Sequence, residues 1–472
     1  IRDSRPGVLT KVGLGTFADP RVSGGKINEK AVKDIVEIVE LGGEEWLFMK
    51  SFPVDCVLIR GTTADTRGNI TMEREILTVD SLAMAMAARN SGGTVIVQVE
   101  RIAKPDCICS RDVIIPGIMV DHVVVGAPEH HMQTFGTQYK PELSGELRVP
   151  LGHIDTLALD ERKVLARRAS FELRPYDVIN LGIGYPEAVS TIANEEKILD
   201  YRTMTVEPGI IGGMPLGGLD FGAAVNGEAV ISMPDQFDFY DGGGLDLTCL
   251  GFAQCDSSGN VNASKFGPRI AGCGGFINIS QNTRRVLFLG TFTTAGLKIA
   301  IEDGKVHILQ EGKIRKFVEA SDQITFCAQF SDSETQEVLY ITDRCVFKLI
   351  EGQLELIEVA PGIDIEHDIL ANMGFTPVIR NVTEMDPRIF GEQPMGIREQ
   401  FMLKELRTRV TYRSDSNTLN VDFSSLELET REDIDNIKRV VVEVCKKVGR
   451  KVNAIVNYNG FRLDDNIFDA YM

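Results

Sequence analysis

Shifted by 191 residues, the sequence falls into register with itself, and this constrains the fold more than any other feature. Asp55 meets Asp246, Asp65 meets Asp256, Gly68-Asn69 meets Gly259-Asn260, and the apolar run 95–99 meets 286–290. One offset that carries charges, a turn and an apolar strand together marks a duplicated unit. The unit reads as α/β: Val57-Leu58-Ile59, a turn at Arg67-Gly68-Asn69, a helical stretch around 78–90, then the strand 95–99. Strands alternating with helices predict βα units on a mostly parallel sheet. Taken toward the N-terminus, the offset sets Thr16, in Gly-Leu-Gly-Thr-Phe, opposite Glu207, so only the second copy holds a carboxylate there. Ile1 falls opposite Ile192, which leaves nothing in the first copy to answer residues 177–184; the first copy is expected to be cut short at its front.

A chain of 472 residues exceeds one ordinary core and predicts two or three domains. Their expected limits are 1–150, 151–395 and 396–472, with a connection poor in periodic apolar positions over 126–157. Apolar content of 43% and charged content of 25% are those of a soluble globular protein, and no run reaches the ~18 apolar residues of a membrane span. Nine cysteines without framework spacing fit a reducing compartment, so a cytoplasmic location is expected. Cys107 and Cys109 read as two thiols on alternate faces of a strand. Six histidines form no HxH or HExxH pattern, and Glu129-His130-His131 reads as a loop, so no metal site is expected. The net charge of −18 argues against nucleic-acid binding. It also requires that any anionic ligand be captured by local features.

Along the chain, Asn28 is placed to cap a helix carrying Val32, Ile35, Val36 and Val39 at i, i+3, i+4 and i+7. A helix is predicted over 160–173, then a strand Asp177-Val178-Ile179-Asn180-Leu181 running into Gly182-Ile183-Gly184-Tyr185-Pro186 and a helix over 186–195. Strand, glycine loop and helix start together read either as an anion site or as a plain strand-to-helix turn. Thr205-Val206-Glu207-Pro208-Gly209 reads as a strand whose terminal turn presents Glu207 beside flexible backbone. Taken alone, a Glu beside Pro-Gly is more often a solvated turn residue. Glycine pairs and a triplet at 212–213, 217–218, 242–244 and 274–275 predict backbone brought close to a ligand. The segments 305–309, 323–329, 338–341, 346–349 and 354–358 alternate like antiparallel strands, and a short helix is expected near 364–373. In the last 77 residues a hairpin over 409–423, a helix from Thr430 to the stop at Gly449 and a strand at 452–456 predict a small ββαβ module.

Several of these motifs occur together in order: Thr-Val-Glu-Pro-Gly, Asn-Leu-Gly-Ile-Gly, Gln-Phe-Asp-Phe-Tyr-Asp-Gly-Gly-Gly-Leu-Asp, Gly-Asn-Val-Asn-Ala-Ser-Lys-Phe and Gly-Cys-Gly-Gly-Phe-Ile-Asn-Ile. On them the chain resembles the class I, glutamate-dependent coenzyme A transferases, of the short-chain acetate and propionate type, over about residues 1–395. The resemblance implies an α/β fold with two related open CoA-transferase domains in one chain, here followed by a small C-terminal α+β module. It implies a nucleophilic Glu207 that forms acyl-glutamyl anhydride and glutamyl-CoA thioester intermediates. Gly274 and Gly275 would then supply the oxyanion-binding backbone, with Asn180, Gly182 and Gly184 near the CoA thioester. Relatives usually have Thr-Gly or Ala-Gly after this Glu, where this chain has Pro208-Gly209. The implied activity is ping-pong exchange of CoA between a short acyl-CoA and acetate, propionate, acetoacetate or a similar acid. CoA would be a substrate, no cofactor would be permanently bound, and a dimer or tetramer is expected. An acyl-CoA hydrolase on the same scaffold and a CoA-binding fragment without turnover are the alternatives.

Overall fold

The structure, a computed structural model, describes residues 1–472 apart from 2, 151–155, 332–334, 425, 429 and 472. The domain limit expected at 150/151 therefore abuts residues outside those described. A ten-stranded sheet forms the centre of the second α/β unit. Across its middle run Thr203–Val206, Val178–Leu181, Leu247–Gly251, Arg285–Leu289 and Glu337–Ile341, each parallel to its neighbour. The strands are apolar on both faces because both faces are covered. Leu287 and Leu289 enter one core with helices α2 (Glu161–Ser170) and α3 (Ala188–Glu195). Their neighbours Val286 and Phe288 face the opposite core, with Tyr240 of α4 (Met233–Asp241) and Phe276 and Ile279 of α5 (Phe276–Asn282). Period-two alternation across a doubly covered sheet thus produces two cores from one strand.

The 191-residue offset survives in the backbone. Cys56–Arg60 pairs in parallel with Thr94–Val99 at Cys56↔Thr94, and Leu247–Gly251 pairs with Arg285–Leu289 at Leu247↔Arg285. The turns also match. Asp65 Oδ1 accepts from the amides of Arg67 and Asn69 while Asp256 Oδ1 accepts from those of Ser258 and Asn260. Asn69 and Asn260 each then accept a distant backbone N–H, from Gly117 and Ala328, both at 2.9 Å. The first lobe's sheet has three strands, closed by His122–Val125 and packed under α1 (Ser81–Asn90). Among the described residues, Cys56–Arg60 has no partner on the edge where Leu247–Gly251 meets Val178–Leu181.

The repeat ends before the N-terminal segment, which corrects the pairing of Thr16 with Glu207. Residues 7–50 form an antiparallel sheet of Gly7–Thr10, Glu44–Lys50 and Val36–Leu41. Thr16 sits in a buried loop held to the second lobe by Phe17 N donating to Ile324 O. The helix expected from Asn28 is replaced by the Val36–Leu41 strand, because Gly42 and Gly43, both at positive φ, fold it back on Glu44–Lys50. Cys107 and Cys109 are exposed in a loop after Arg101–Ala103, not on a strand. Residues 338–341 lie in a strand antiparallel to Cys345–Ile350, as expected, and parallel to Arg285–Leu289 on its other edge, while 323–329 form no strand beyond an isolated bridge at Phe326.

The C-terminal residues build their own core, with a helix the sequence reading did not foresee, α6 (Arg398–Arg409), in front of the predicted hairpin. In α7 (Arg431–Val448), Thr430 and Asp433 form the capping box, Gly449 ends the helix at φ +67, and Ile434, Ile437 and Val440 enter that core. No helix among the described residues is long and apolar enough to cross a membrane.

Candidate active site

Glu207 stands at the apex of a tight hairpin. Thr203–Val206 runs up to it and Ile210–Ile211 returns antiparallel, with Gly209 N donating to Val206 O at 2.9 Å. Pro208 fixes its own φ, and Gly209 sits at φ +130 with no room for a side chain: a Cβ would lie 2.1 Å from Ile231 O. Glu207 is half-buried, and its Oε1 accepts a hydrogen bond from Gly275 N at 3.0 Å. Burial raises its carboxyl above the ordinary glutamate value, and the Gly275 N–H pulls it back in part. The Gly274-Gly275 pair leaves little space over the carboxylate. A Cβ on Gly275 would stand 2.8 Å from Glu207 Cδ and 2.4 Å from Phe237 Cζ, and one on Gly274 would stand 3.7 Å from Glu207 Oε1.

Beneath the hairpin lies a buried polar network. Tyr240 Oη donates to Thr205 Oγ1 at 2.7 Å and accepts from Gln236 Nε2 at 2.6 Å, and Thr205 lies two residues before Glu207. Burial pushes the Tyr240 phenol up to about 12, so it stays protonated and able to donate. Asn180 belongs to this network, not to an open crevice. It is 1% exposed, its Nδ2 reaches Tyr240 Oη at 3.5 Å, and Thr248 Oγ1 donates to its carbonyl at 3.2 Å.

Gly182 and Gly184 lie in a loop at the surface. Gly182 N donates to Cys249 O at 2.8 Å, Ile183 is exposed, and Gly184 adopts φ +91 with nothing near the place of a Cβ. The loop lies at the carboxyl ends of Val178–Leu181 and Leu247–Gly251. The chain first steps outward from Val178–Leu181 to Thr203–Val206, then crosses back to Leu247–Gly251, so this is where the strand order reverses. In open α/β sheets that is where the ligand crevice forms. The triplet 242–244 plays another part, closing α4 with Gly244 packed on the Phe239 ring.

Two residues of the first lobe reach the second near this site, Leu77 at the hairpin and Val79 at the start of α4, and no local pattern marked them. Leu77 packs against Val206, Ile210 and Ala224. Val79, a β-branched residue at φ +44, accepts through its carbonyl from Met233 N at the start of α4. Among the described residues no cluster of histidine, cysteine and carboxylate side chains could hold a metal ion.

The Coenzyme A transferase family model matches residues 4–126. Caffeate CoA-transferase of Acetobacterium woodii is 48% identical over 404 residues, 84% of this chain and 77% of that one. Acetate CoA-transferase YdiF of Escherichia coli K12 is 42% identical over 393 residues, 83% and 74% of the two chains. The chain belongs to the coenzyme A transferase family. It is a CoA-transferase, moving CoA between an acyl-CoA and a carboxylate. The crystal structure of the acyl-CoA transferase YdiF apoenzyme from E. coli O157:H7 superposes with a TM-score of 0.79 at 42% identity, over 84% of this chain and 75% of that one. YdiF has also been solved as a thioester complex with CoA, which matches at a TM-score of 0.78. The transferase fold thus carries Glu207, its hairpin, the Gly274-Gly275 backbone and the 182–184 loop at the same end of one sheet.

Proposed function

We propose that Glu207 is the covalent carrier of the exchange. Its carboxylate attacks the thioester carbonyl of the acyl-CoA, and the CoA thiolate leaves to give an acyl-glutamyl anhydride. The thiolate then attacks the glutamyl carbonyl of the anhydride and expels the first acid, leaving CoA on Glu207 as a thioester. The second acid enters as a carboxylate and repeats the two steps in reverse, so the new acyl-CoA departs and the Glu207 carboxylate is restored. No external energy source is needed, because one thioester replaces another.

A carboxylate is a weak nucleophile, so stabilising the tetrahedral oxyanion carries much of the work; one well-placed donor is worth about 3 kcal/mol. Gly275 N–H is the donor aimed at Glu207, and the observation that carries the reading is that 3.0 Å contact at a glycine-lined hairpin apex. A carboxyl raised by burial is held by few hydrogen bonds, which favours attack over solvation. Gly182 and Gly184 serve the CoA arm, and Asn180 acts through Tyr240 and Thr205 as a support beneath the carboxylate.

The preferred acids are short ones such as acetate, propionate or acetoacetate, in line with the relative named for acetate; the relative named for caffeate makes an aromatic acid the comparison to run. Three units at 1–150, 151–395 and 396–472 are supported by separate apolar clusters. A cytoplasmic dimer or tetramer without a resident cofactor completes the proposal. Intact-protein mass spectrometry after mixing with acetyl-CoA is the test. A CoA-sized adduct mapping to Glu207, absent in Glu207→Gln, is expected. An adduct on another residue, or exchange retained by Glu207→Gln, overturns the mechanism.

A further inference from the structure

Lys316 is buried at the same end of the sheet, and nothing so far uses it. Its side chain is 6% exposed, and its Nζ lies 4.0 Å from the centroid of the Phe252 ring. A Cβ on Gly290 would stand only 2.3 Å from Nζ, so the ammonium touches that backbone. Phe252 follows Leu247–Gly251 and Gly290 follows Arg285–Leu289, which places Nζ over the carboxyl ends of the two central strands. The 182–184 loop is next to it, since a Cβ on Gly251 would meet Ile183 O at 3.5 Å.

The charge has no counter-ion of its own. Asp343, the nearest buried acid, is taken by Arg344 Nε at 2.9 Å and by the Phe292 amide, and Arg344 also binds Glu311. Among the described residues Lys316 Nζ makes no ion pair. A buried ammonium set against a ring and a glycine, with no ion pair among the described residues, is costly unless something else supplies the anion. Burial pushes Lys316 down to about 7, with Asp343 and Cys255 pulling the other way. In a chain of net charge −18 such a group is also one of the few places that would welcome an anion.

Resting on the Glu207 reading, we infer that the Lys316 ammonium binds a phosphate oxygen of coenzyme A while the thiol end is held at Glu207. Reach decides between the two anions of the reaction. Adjacent strands stand about 4.8 Å apart, so Nζ lies on the order of 12 Å across the sheet from the tip of Thr203–Val206. A short acid bonded to Glu207 does not span that gap. The pantetheine arm does, and its far end carries the phosphates.

The test uses the full chain, Lys316→Met, and two donors that share a thioester but differ in phosphate, acetyl-CoA and acetyl-pantetheine. Loss of one charge-assisted hydrogen bond lowers the kcat/KM ratio of acetyl-CoA to acetyl-pantetheine by about 10–100-fold. The KM for acetate stays as in the parent. An unchanged ratio overturns the inference, and so does a loss confined to the acetate KM, which would put the acid at Lys316. If Lys316→Met does not fold, reductive methylation of the parent decides. Protection of Lys316 by CoA but not by pantetheine supports the inference, and equal protection by both or by neither refutes it. Glu207 loading by acetyl-CoA is read in the same samples, so failure of the carrier reading is seen separately.

Discussion

Replacing Gly275 by Ala tests the carboxylate's surroundings with a single methyl group. Gly275 has φ −82, which any residue adopts, so the change brings no backbone strain. Its effect is steric. The new carbon would stand 2.4 Å from Phe237 Cζ and 2.8 Å from Glu207 Cδ, where carbon atoms at rest keep about 3.5–4.0 Å. Something must move by roughly 1 Å. Phe237 is wedged edge-on against Tyr240, 5.7 Å between centroids, and Tyr240 is fully buried in its hydrogen-bond network. Glu207 is the softer side, since among the described residues its carboxylate is held by one hydrogen bond, from Gly275 N. A 1 Å displacement of a reacting group costs on the order of 10²-fold in rate, or about 2.7 kcal/mol. Overpacking adds a stability loss of about 1–3 kcal/mol. Exchange kinetics with acetyl-CoA and acetate, alongside a melting curve, separate the two effects. Wild-type kcat/KM in a folded Gly275→Ala protein would refute the claim that this backbone sets the position of Glu207.

Three other outcomes are expected. Because burial lifts Glu207 above the ordinary 4.5, the acid limb of kcat/KM should lie above that value; the same proton stabilises the fold below 4.5, and that contribution is lost as pH rises through the raised value. Both limbs are read from pH–rate and pH–melting profiles, and an acid limb at the ordinary value would contradict the burial argument. Phe401→Ala removes the ring that lies 4.6 Å from the Arg202 guanidinium and 6.3 Å from the Tyr201 ring, at the seam between the second lobe and α6. A loss of about 3–5 kcal/mol is expected, seen as a lower melting temperature and faster proteolysis of the C-terminal module. Asp65→Ala and Asp256→Ala remove matching turns and should each cost about 1–3 kcal/mol, with faster amide exchange at Asn69 and Asn260 respectively.

Short-range patterns were legible where the structure is decided locally. The capping box at Thr430, the strand into Gly182 and the turn after Val206 depend on residues within a few positions of each other. The repeat was legible because register and turn chemistry are both written at one offset. The segment 28–41 was not. Val32, Ile35, Val36 and Val39 have helical spacing, yet three of the four are β-branched valines and the fourth is isoleucine, and pairing with Glu44–Lys50 overrides the spacing. The resemblance puts Asn180 near the thioester; alternation along its strand turns the side chain toward Tyr240, while Ile179 and Leu181 face the other core. Leu77 and Val79 were invisible for a different reason. Leu77 meets the hairpin and Val79 the start of α4 across more than a hundred residues of chain, and nothing in their own neighbourhood records those contacts.

The two lobes share a plan, so the chemical difference between them must come from side chains. The offset sets Ser81-Leu82-Ala83-Met84 of the first lobe against Gly272-Cys273-Gly274-Gly275 of the second. In the first lobe those four residues are the opening turn of α1. In the second they are unwound, with Gly272 at φ +83 and Gly274 at φ +51, and α5 begins only at Phe276. Met84 N, at the position that answers Gly275, is used up by Asp80 O at 2.8 Å, whereas an N–H in an unwound segment is free to bind something else. Gly275 N binds Glu207. Glycine at three of the four aligned positions thus turns a structural turn into a donor aimed at the carboxylate, and in the proposed mechanism that exchange is what makes the second lobe the reactive one.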